Sequence, residues 1–408
     1  MKCRHCGAEL ELSLIDLGSA PPSNAYLSAA GLREPEKWFP LRVLVCTVCF
    51  LVQTEDFAQA AELFDAEYAY FSGFSSTWLA HAERFVASMI TRLGLDRHSQ
   101  LIEVASNDGY LLQYVKAKGI PCLGIEPTAS TAAAARGKGI EVIEEFFGAS
   151  LGASLAARGR AADLLVANNV LAHVPDVNDF VHGFTQLLKP AGVASFEFPH
   201  LLRLIDENQF DTIYHEHFSY LSLTSVEHIF NAAGLSVFDV EELPTHGGSL
   251  RVLAQRTDAG QREATAAVGA MRAREVAAGL TGREYYADCQ RRFEDLKDEF
   301  VAFLIRARAQ GKRVAAYGAA AKGNTLLNFA GVRADLITLV ADRNPAKQGK
   351  FMPGSRIPIV AEQTLREARP DYVVILPWNL RTEVTQQLAY IRSWGGSFVT
   401  AVPRLEVS

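Results

Sequence analysis

The sequence predicts an α/β protein of three units: a cysteine module over residues 1–75, a doubly wound parallel-sheet domain over 76–260, and a second α/β domain over 261–408. Two Cys-x-x-Cys pairs near the start predict the first unit. Strand-like and helix-like segments alternate from about residue 80 to 255 and predict the second, since such alternation builds a parallel sheet with helices on both faces. A second alternation, entered through a glycine-rich turn after Tyr317, predicts the third.

Composition narrows the function classes. Hydrophobic residues make up 49% and charged residues 21%, which excludes disordered and fibrous chains. Forty Lys+Arg against 46 Asp+Glu give a net charge of −6. That balance argues against an extended nucleic-acid or anionic-membrane surface but leaves room for a local phosphate pocket. No apolar run approaches the ~20 residues of a membrane helix. The first residues, Met1 to Cys6, hold no apolar stretch of the kind a signal peptide needs. The expectation is a cytoplasmic monomer with no nucleic-acid or membrane partner. In a reducing compartment its six cysteines are thiols or metal ligands.

Four of those cysteines form the pairs Cys3/Cys6 and Cys46/Cys49. A Cys-x-x-Cys turn brings two thiolates to one point, and two such turns complete a tetrahedral sulfur cage for zinc. A redox site needs only one pair, so structural zinc is favoured. With all four positions sulfur, no coordination site stays open, and the metal is expected to be remote from the chemistry. The segment 10–45 folds as part of the module. His5 reads as a solvated neighbour rather than a fifth ligand.

In the middle unit, Leu101–Ala105, Pro121–Glu126, Val142–Phe146, Ala162–Ala167 and Gly192–Phe198 read as strands. Asp108–Lys118, Thr128–Arg136 and Val177–Leu188 read as helices. Leu235–Val240 and Ser249–Gln255 follow without a long helix between them and suggest an antiparallel pair at a sheet edge. The first strand ends in Glu103-Val104-Ala105-Ser106-Asn107-Asp108-Gly109. Small residues there let a ligand approach the backbone, beside helical N–H groups. The turn lacks the full GxGxxG of a dinucleotide site. Glu126 ends the next strand, where a carboxylate accepts hydrogen bonds from two ribose hydroxyls and excludes a 2′-phosphate. Together they favour an adenosine cofactor, and one glycine with an acid suits S-adenosylmethionine better than NAD.

Four of the ten histidines crowd the carboxyl edge of this sheet: His173 in Asn168-Asn169-Val170-Leu171-Ala172-His173, His200, and His215 and His217 in Tyr214-His215-Glu216-His217. His-x-His with a nearby Glu is also a metal pattern. Interleaved Tyr and amide residues favour a general acid/base cluster instead, because histidine titrates near neutral pH. At least one of the four is expected to serve only the fold.

The last unit opens with charged helices over about 262–310, including Tyr285–Arg308. Lys312–Tyr317, Leu336–Ala341, Tyr372–Leu376 and Ser397–Val402 read as strands. The turn Gly318-Ala319-Ala320-Ala321-Lys322-Gly323-Asn324 suits a diphosphate, with backbone N–H groups and the Lys322 ammonium facing it. Asp342 is a weaker candidate as a ribose ligand. Pro377-Trp378-Asn379 reads as a pocket wall or a turn.

Taken together, and in this order along essentially the whole chain, these motifs resemble the S-adenosylmethionine-dependent nucleotide-sugar C-methyltransferases of deoxysugar biosynthesis. The resemblance implies a zinc-binding module, a class I (Rossmann-like) methyltransferase domain, and a C-terminal Rossmann-like α/β domain that contributes to nucleotide-sugar binding. It implies methyl transfer to carbon 3 of a nucleoside-diphosphate 4-keto-6-deoxy sugar. In the family, the histidine ending the YHEH-type motif is the proposed base, which is His217 here. Tyr214, Glu216 and His173 are carried over with it, as is a tyrosine after the zinc module, Tyr70 or else Tyr68. Glu103, Ser106, Asn107, Gly109, Glu126 and Asn168 fall on the cofactor side. Asn169, His200 and Lys322 fall on the substrate side.

The chemistry is coherent. A ketone at C4 acidifies the C3 proton, a base removes it, and the enolate attacks the sulfonium methyl. A base with a pKa near the working pH supplies ~10²–10⁴-fold. Glu216 is expected to orient an imidazole or the substrate, and Tyr214, Tyr70 or His173 to donate to the C4 oxyanion. Methylation at oxygen or nitrogen of another small molecule is the alternative reading. A non-catalytic zinc-dependent scaffold is the second. The nucleobase, thymine or guanine, and the C3 substituent, hydroxyl or amine, stay open.

Overall fold

The computed structural model describes residues 1–57 and 71–408. Strands β1 (Leu12–Ala20), β2 (Phe39–Val45) and β3 (Val52–Thr54) form an antiparallel meander. Alternation along β2 assigns its two faces. Leu41, Val43 and Val45 face one core, while Leu44 and the adjoining Cys46 face another.

The middle domain is a seven-stranded sheet. Its strands include β4 (Leu101–Val104), β5 (Cys122–Ile125), β6 (Val142–Ile143), β7 (Ala162–Asn168) and β8 (Leu188–Pro199). A short strand, β9 (Ser219–Tyr220), leaves this domain and adds to the N-terminal meander beside β3. Strands β10 (Leu235–Leu243) and β11 (Ser249–Arg256) return to the large sheet, whose order is β10-β11-β8-β7-β4-β5-β6. The pairs among β4 to β8 are parallel, and β11 runs antiparallel to both β8 and β10. The antiparallel edge expected from the sequence is therefore present. Residues of both parities are buried along the central strands, as a sheet covered on both faces requires. Ile102 and Val104 face one core, and Leu101 faces the other, alongside Leu164 and Val166.

The helix expected over 108–118 is shortened to Leu112–Ala117. Ala105, Asn107 and Gly109 all adopt left-handed backbone, at φ 54°, 49° and 73°, so the chain loops before it can wind. Strand β6 covers two residues rather than five.

In the last unit, β12 (Val314–Tyr317), β13 (Val340–Ala341), β14 (Ile359–Val360), β15 (Tyr372–Ile375), β16 (Ser397–Thr400) and β17 (Glu406–Val407) form a six-stranded sheet of order β14-β13-β12-β15-β16-β17. It is parallel apart from β17. The long helix Cys289–Ala309 precedes it, and Ala321–Phe329 follows the glycine-rich turn. Val314, Ala316, Val340, Val374 and Val399 share one core with Leu14, Ile15, Val43, Val45 and Val52 of the meander. The N-terminal module is thus a wedge. Its cysteine side packs with the middle domain and its other face with the C-terminal one.

Candidate active site

The four cysteines sit where Cys3–Cys6 and Cys46–Cys49 turns meet, with all sulfurs within 4.8 Å of one another. The Sγ–Sγ separations are 3.6 Å for Cys3–Cys49 and 3.5 Å for Cys6–Cys46. These are close to the tetrahedron edge of about 3.8 Å set by Zn–S bonds of about 2.3 Å. The backbone N–H of Val48 donates to Cys46 Sγ at 3.4 Å, and Gln53 Nε2 donates to Cys3 Sγ at 3.3 Å. Donors aimed at the sulfurs stabilise thiolates, so the donor set fits zinc. His5 stands outside the sulfur cluster, half-buried, with its Nδ1 2.8 Å from Asn178 Oδ1 on a middle-domain helix.

Strand β3 links the cysteine site to the histidine motif. Gln53 lies on β3 and pairs with Ser219 of β9, two residues beyond His217. Thr54 Oγ1 donates to the His217 carbonyl at 3.2 Å, and Thr54 N–H to that of Phe218 at 3.2 Å. One strand carries both a sulfur's hydrogen-bond donor and a brace for the YHEH motif.

The cofactor side forms at the carboxyl ends of β4, β5 and β7. Glu126 is buried, and its two oxygens accept the N–H groups of Asn107 and Thr128, each at 2.9 Å. Each oxygen keeps a second lone pair for a ribose hydroxyl. A Cβ on Gly109 would run into Ile140. Asn107 Oδ1 and Asp108 Oδ1 accept the N–H groups of Ser72 and Gly73, which closes one side of the loop. Buried polar groups gather here: Ser106 Oγ and Asn169 Oδ1 have no partner among the described residues, and the Glu103 carboxyl and the Asn168 side chain face the buried Tyr110 hydroxyl. Burial pushes the Glu103 carboxyl well above the usual range. Orphaned polar atoms are costly, and a polar ligand at this edge offsets that cost. The residues fit an adenosine cofactor.

The YHEH motif is a tight turn: His217 N–H donates to the Tyr214 carbonyl at 2.9 Å. The turn brings its ends together, with the Tyr214 and His217 rings 4.0 Å apart. His173 stands edge-on to His217 at 4.6 Å. His217 Nδ1 lies 2.9 Å from the Thr212 carbonyl, which accepts its proton and leaves Nε2 as a lone pair. Burial, with His173 and Lys322 nearby, drives His217 well below the usual imidazole range. Burial likewise lowers His173 to about 4. Both rings are neutral at pH 7. The sequence reading placed the base near neutrality, and the low-dielectric site is why it is not.

The corners of the turn point elsewhere. His215 Nε2 donates to the carbonyls of Phe39 and Pro40, at 3.3 and 3.2 Å. Glu216 Oε1 accepts from Asn24 Nδ2 at 2.7 Å, which ties its carboxyl to the N-terminal module. Burial raises Glu216 to about 7, against the pull of Asn24 and Lys347.

Lys322 reaches this cluster from the C-terminal domain. Its Nζ donates to Asn379 Oδ1 at 2.8 Å and lies 4.7 Å from the centre of the Trp378 ring. Trp378 Nε1 donates to buried Asp211 at 2.8 Å, and burial raises that carboxyl to about 6. Asp342 is already engaged: its oxygens accept the N–H groups of Ala319 and Asn344, each at 2.7 Å. Like Glu126, it holds a turn with both oxygens and keeps one lone pair on each. His200 is a correction. It is 1% exposed and its Nε2 pairs with Glu275 at 2.8 Å, in a network that also caps the helix starting at Leu223. It is a buried fold residue, not a substrate ligand. Tyr68 and Tyr70 lie outside the described residues.

Sequence reasoning missed two groups. His81 pairs with buried Glu197 at 2.8 Å, which also holds Arg251 at 2.9 Å and Thr245 Oγ1 at 3.0 Å. His246, in the β10–β11 connection, lies 3.2 Å from Asn169 Nδ2 and 5.2 Å from the Trp78 ring. The run Thr245-His246-Gly247-Gly248 was the available signal, a histidine in a glycine turn at a sheet edge.

Comparisons with known proteins follow this order. Residues 3–64 match a zinc binding domain family, 78–240 a methyltransferase domain family, and 244–403 the C-methyltransferase C-terminal domain family. The C-methyltransferase NovU from Streptomyces niveus is 34% identical over 406 residues, covering 100% of this chain and 96% of its own. Among solved structures, magnesium protoporphyrin IX methyltransferase from Synechocystis is 14% identical, with a TM-score of 0.36, over 44% of this chain and 83% of its own. A protein from Pyrococcus horikoshii is 13% identical, with a TM-score of 0.39, over 49% and 100%.

Proposed function

The chain belongs to the S-adenosylmethionine-dependent C-methyltransferases, and from that premise we propose that it methylates carbon 3 of a 4-keto-6-deoxy sugar carried on a nucleoside diphosphate, with His217 as the base. The observation that carries this reading is the His217 ring. One nitrogen is tied to a backbone carbonyl, and the other makes no hydrogen bond among the described residues. A fixed, neutral imidazole with an open lone pair is what carbon-acid deprotonation requires. Methylation at oxygen or nitrogen can also use a neutral imidazole as base, so the family match to C-methyltransferases is what favours a carbon acid.

His217 Nε2 takes the C3 proton, and the electron pair moves to the C4 oxygen. Tyr214 and His173 confine the ring. S-adenosylmethionine, when bound, supplies an electrophilic methyl group, and Glu126 holds its ribose. Burial makes His217 a weak base. A dianionic diphosphate beside Lys322 raises its basicity as the substrate enters. Asn169 belongs to the same pocket. Glu216, tied to Asn24, supports the turn rather than the imidazole. On this reading residues 1–75, 76–260 and 261–408 serve as metal module, methyl-transfer domain and nucleotide-sugar domain. The enzyme as a cytoplasmic monomer stays part of the proposal.

The test is mass spectrometry of methyl transfer to a panel of 4-keto-6-deoxy sugar nucleotides, with fragmentation to locate the methyl. A C3-methylated product is expected, and His217→Asn lowers its formation by ~10²-fold or more. Product methylated only on oxygen or nitrogen, or turnover retained by His217→Asn, defeats the reading.

A further inference from the structure

His246 stands in an unusual place. Its backbone is left-handed, at φ 54° and ψ 20°, a region that histidine, asparagine and aspartate enter more readily than other non-glycine residues. The turn that holds it is clamped on both sides. Thr245 Oγ1 bonds Glu197, and Gln209 Nε2 donates to the Gly247 carbonyl at 2.7 Å. A side chain on Gly247 would meet Trp378 and Gln209. A turn held by this much surrounding structure fixes where the side chain points.

That side chain meets Asn169 and the Trp78 ring, in a turn whose Gly247 abuts Trp378, the ring over which Lys322 lies. Asn169, itself left-handed at φ 55°, directs its amide Nδ2 at His246 Nε2. The amide orientation assigns Nε2 as the acceptor and puts the proton on Nδ1. Nδ1 makes no hydrogen bond among the described residues, and it is not among the buried atoms without a partner. Lys322, His173 and His217 are near enough to act on its charge. Burial and Lys322 lower His246 to about 4, so it keeps one proton at pH 7 and is a donor, not a cation. The two rings present opposite chemistry: His217 a lone pair, His246 an N–H.

Building on the function proposed above, we propose that His246 is a catalytic residue whose Nδ1–H hydrogen-bonds the ketone oxygen of the substrate as that oxygen gains charge. The C–H bond beside the ketone breaks, its proton goes to His217 Nε2, and its electron pair becomes the enolate. His246 keeps its proton throughout. When the carbon takes the methyl group, the C=O bond re-forms. A neutral imidazole is the suitable donor, since an imidazolium would protonate the enolate oxygen and quench the nucleophile.

The experiment uses the full-length zinc-loaded enzyme with S-adenosylhomocysteine and a 4-keto-6-deoxy sugar nucleotide in D2O. Deuterium entry at the carbon beside the ketone is followed by NMR, with methyl transfer measured in parallel. Glycine accepts the left-handed backbone, so His246→Gly removes the donor without strain. It is expected to lose ~10²–10³-fold in both exchange and methyl transfer. KM and S-adenosylhomocysteine affinity should stay within about three-fold, and added imidazole should restore part of the rate. His246→Asn also accepts this backbone, sets an N–H near the Nδ1 position, and should stay within about ten-fold of wild type. Exchange by His246→Gly within about three-fold of wild type overturns the assignment while leaving the C-methylation reading intact. So does equal loss in both variants accompanied by weakened cofactor binding. No exchange by wild type with any ketone overturns both.

Discussion

Glu216 shows how a motif residue is tied into the fold around it. Its carboxyl is 2% exposed, bonded to Asn24, and raised to about 7. In the unfolded chain it titrates near 4.5. Between those values the folded state holds a proton that the unfolded state has lost. Its contribution to stability is therefore full below 4.5 and falls as pH rises through 7. Glu216→Gln keeps an acceptor for Asn24 and does not titrate. Its stability relative to wild type should rise by up to about 3 kcal/mol between pH 4.5 and pH 8. Urea midpoints at the two pH values check this, and an unchanged gap rejects it. The sequence placed Glu216 beside His217 but not the turn that sends the two side chains apart. Adjacent residues in an extended strand diverge by rule, whereas a turn is settled by one hydrogen bond that no local pattern prints. His246 was illegible for a related reason. A histidine before two glycines reads as a loop until the sheet order brings β10–β11 beside β8.

At the level of elements, β3 joins two sites. It carries Gln53, whose amide bonds Cys3 Sγ, and it pairs with β9 directly after the YHEH turn. Withdrawal of zinc frees the cysteine loops and with them β3. Amide hydrogen exchange over residues 214–220 should accelerate by ~10-fold or more on chelation, or in Cys49→Ser, while β4 and β5 remain protected. Equal protection with and without metal would show the two sites to be independent. The cysteine pairs themselves were fully legible, because their spacing states the ligand geometry. The β3–β9 pairing was not. It joins residues far apart in sequence, and nothing in either segment names its partner. The same contrast holds for the large sheet. Its strands and antiparallel edge could be read from alternation and length. The short strands β6 and β13 were overextended, because apolar character continues past the point where pairing stops.

In the whole molecule, the N-terminal module has no core of its own. Leu14, Ile15, Val43, Val45 and Val52 are buried against residues that follow Leu280 and against the 201–213 insert. At about 1.5–3 kcal/mol per buried side chain, losing that partner removes an amount comparable to the stability of a whole domain. A fragment of residues 1–260 is expected to aggregate even with zinc supplied. A monodisperse peak with a cooperative melt would refute this. The wedge also orders events during synthesis. The ribosome releases the first strands early, but the surface that covers them is complete only when Val399 and Val402 have emerged. The zinc loops can close at once, while β1 and β2 wait with an apolar face bare. Contacts of such long sequence separation form slowly, and the interval favours capture by another chain's C-terminal half. Refolding yield should therefore fall with protein concentration, and the nascent chain is a client for a chaperone that shields β-strands until its last residues arrive.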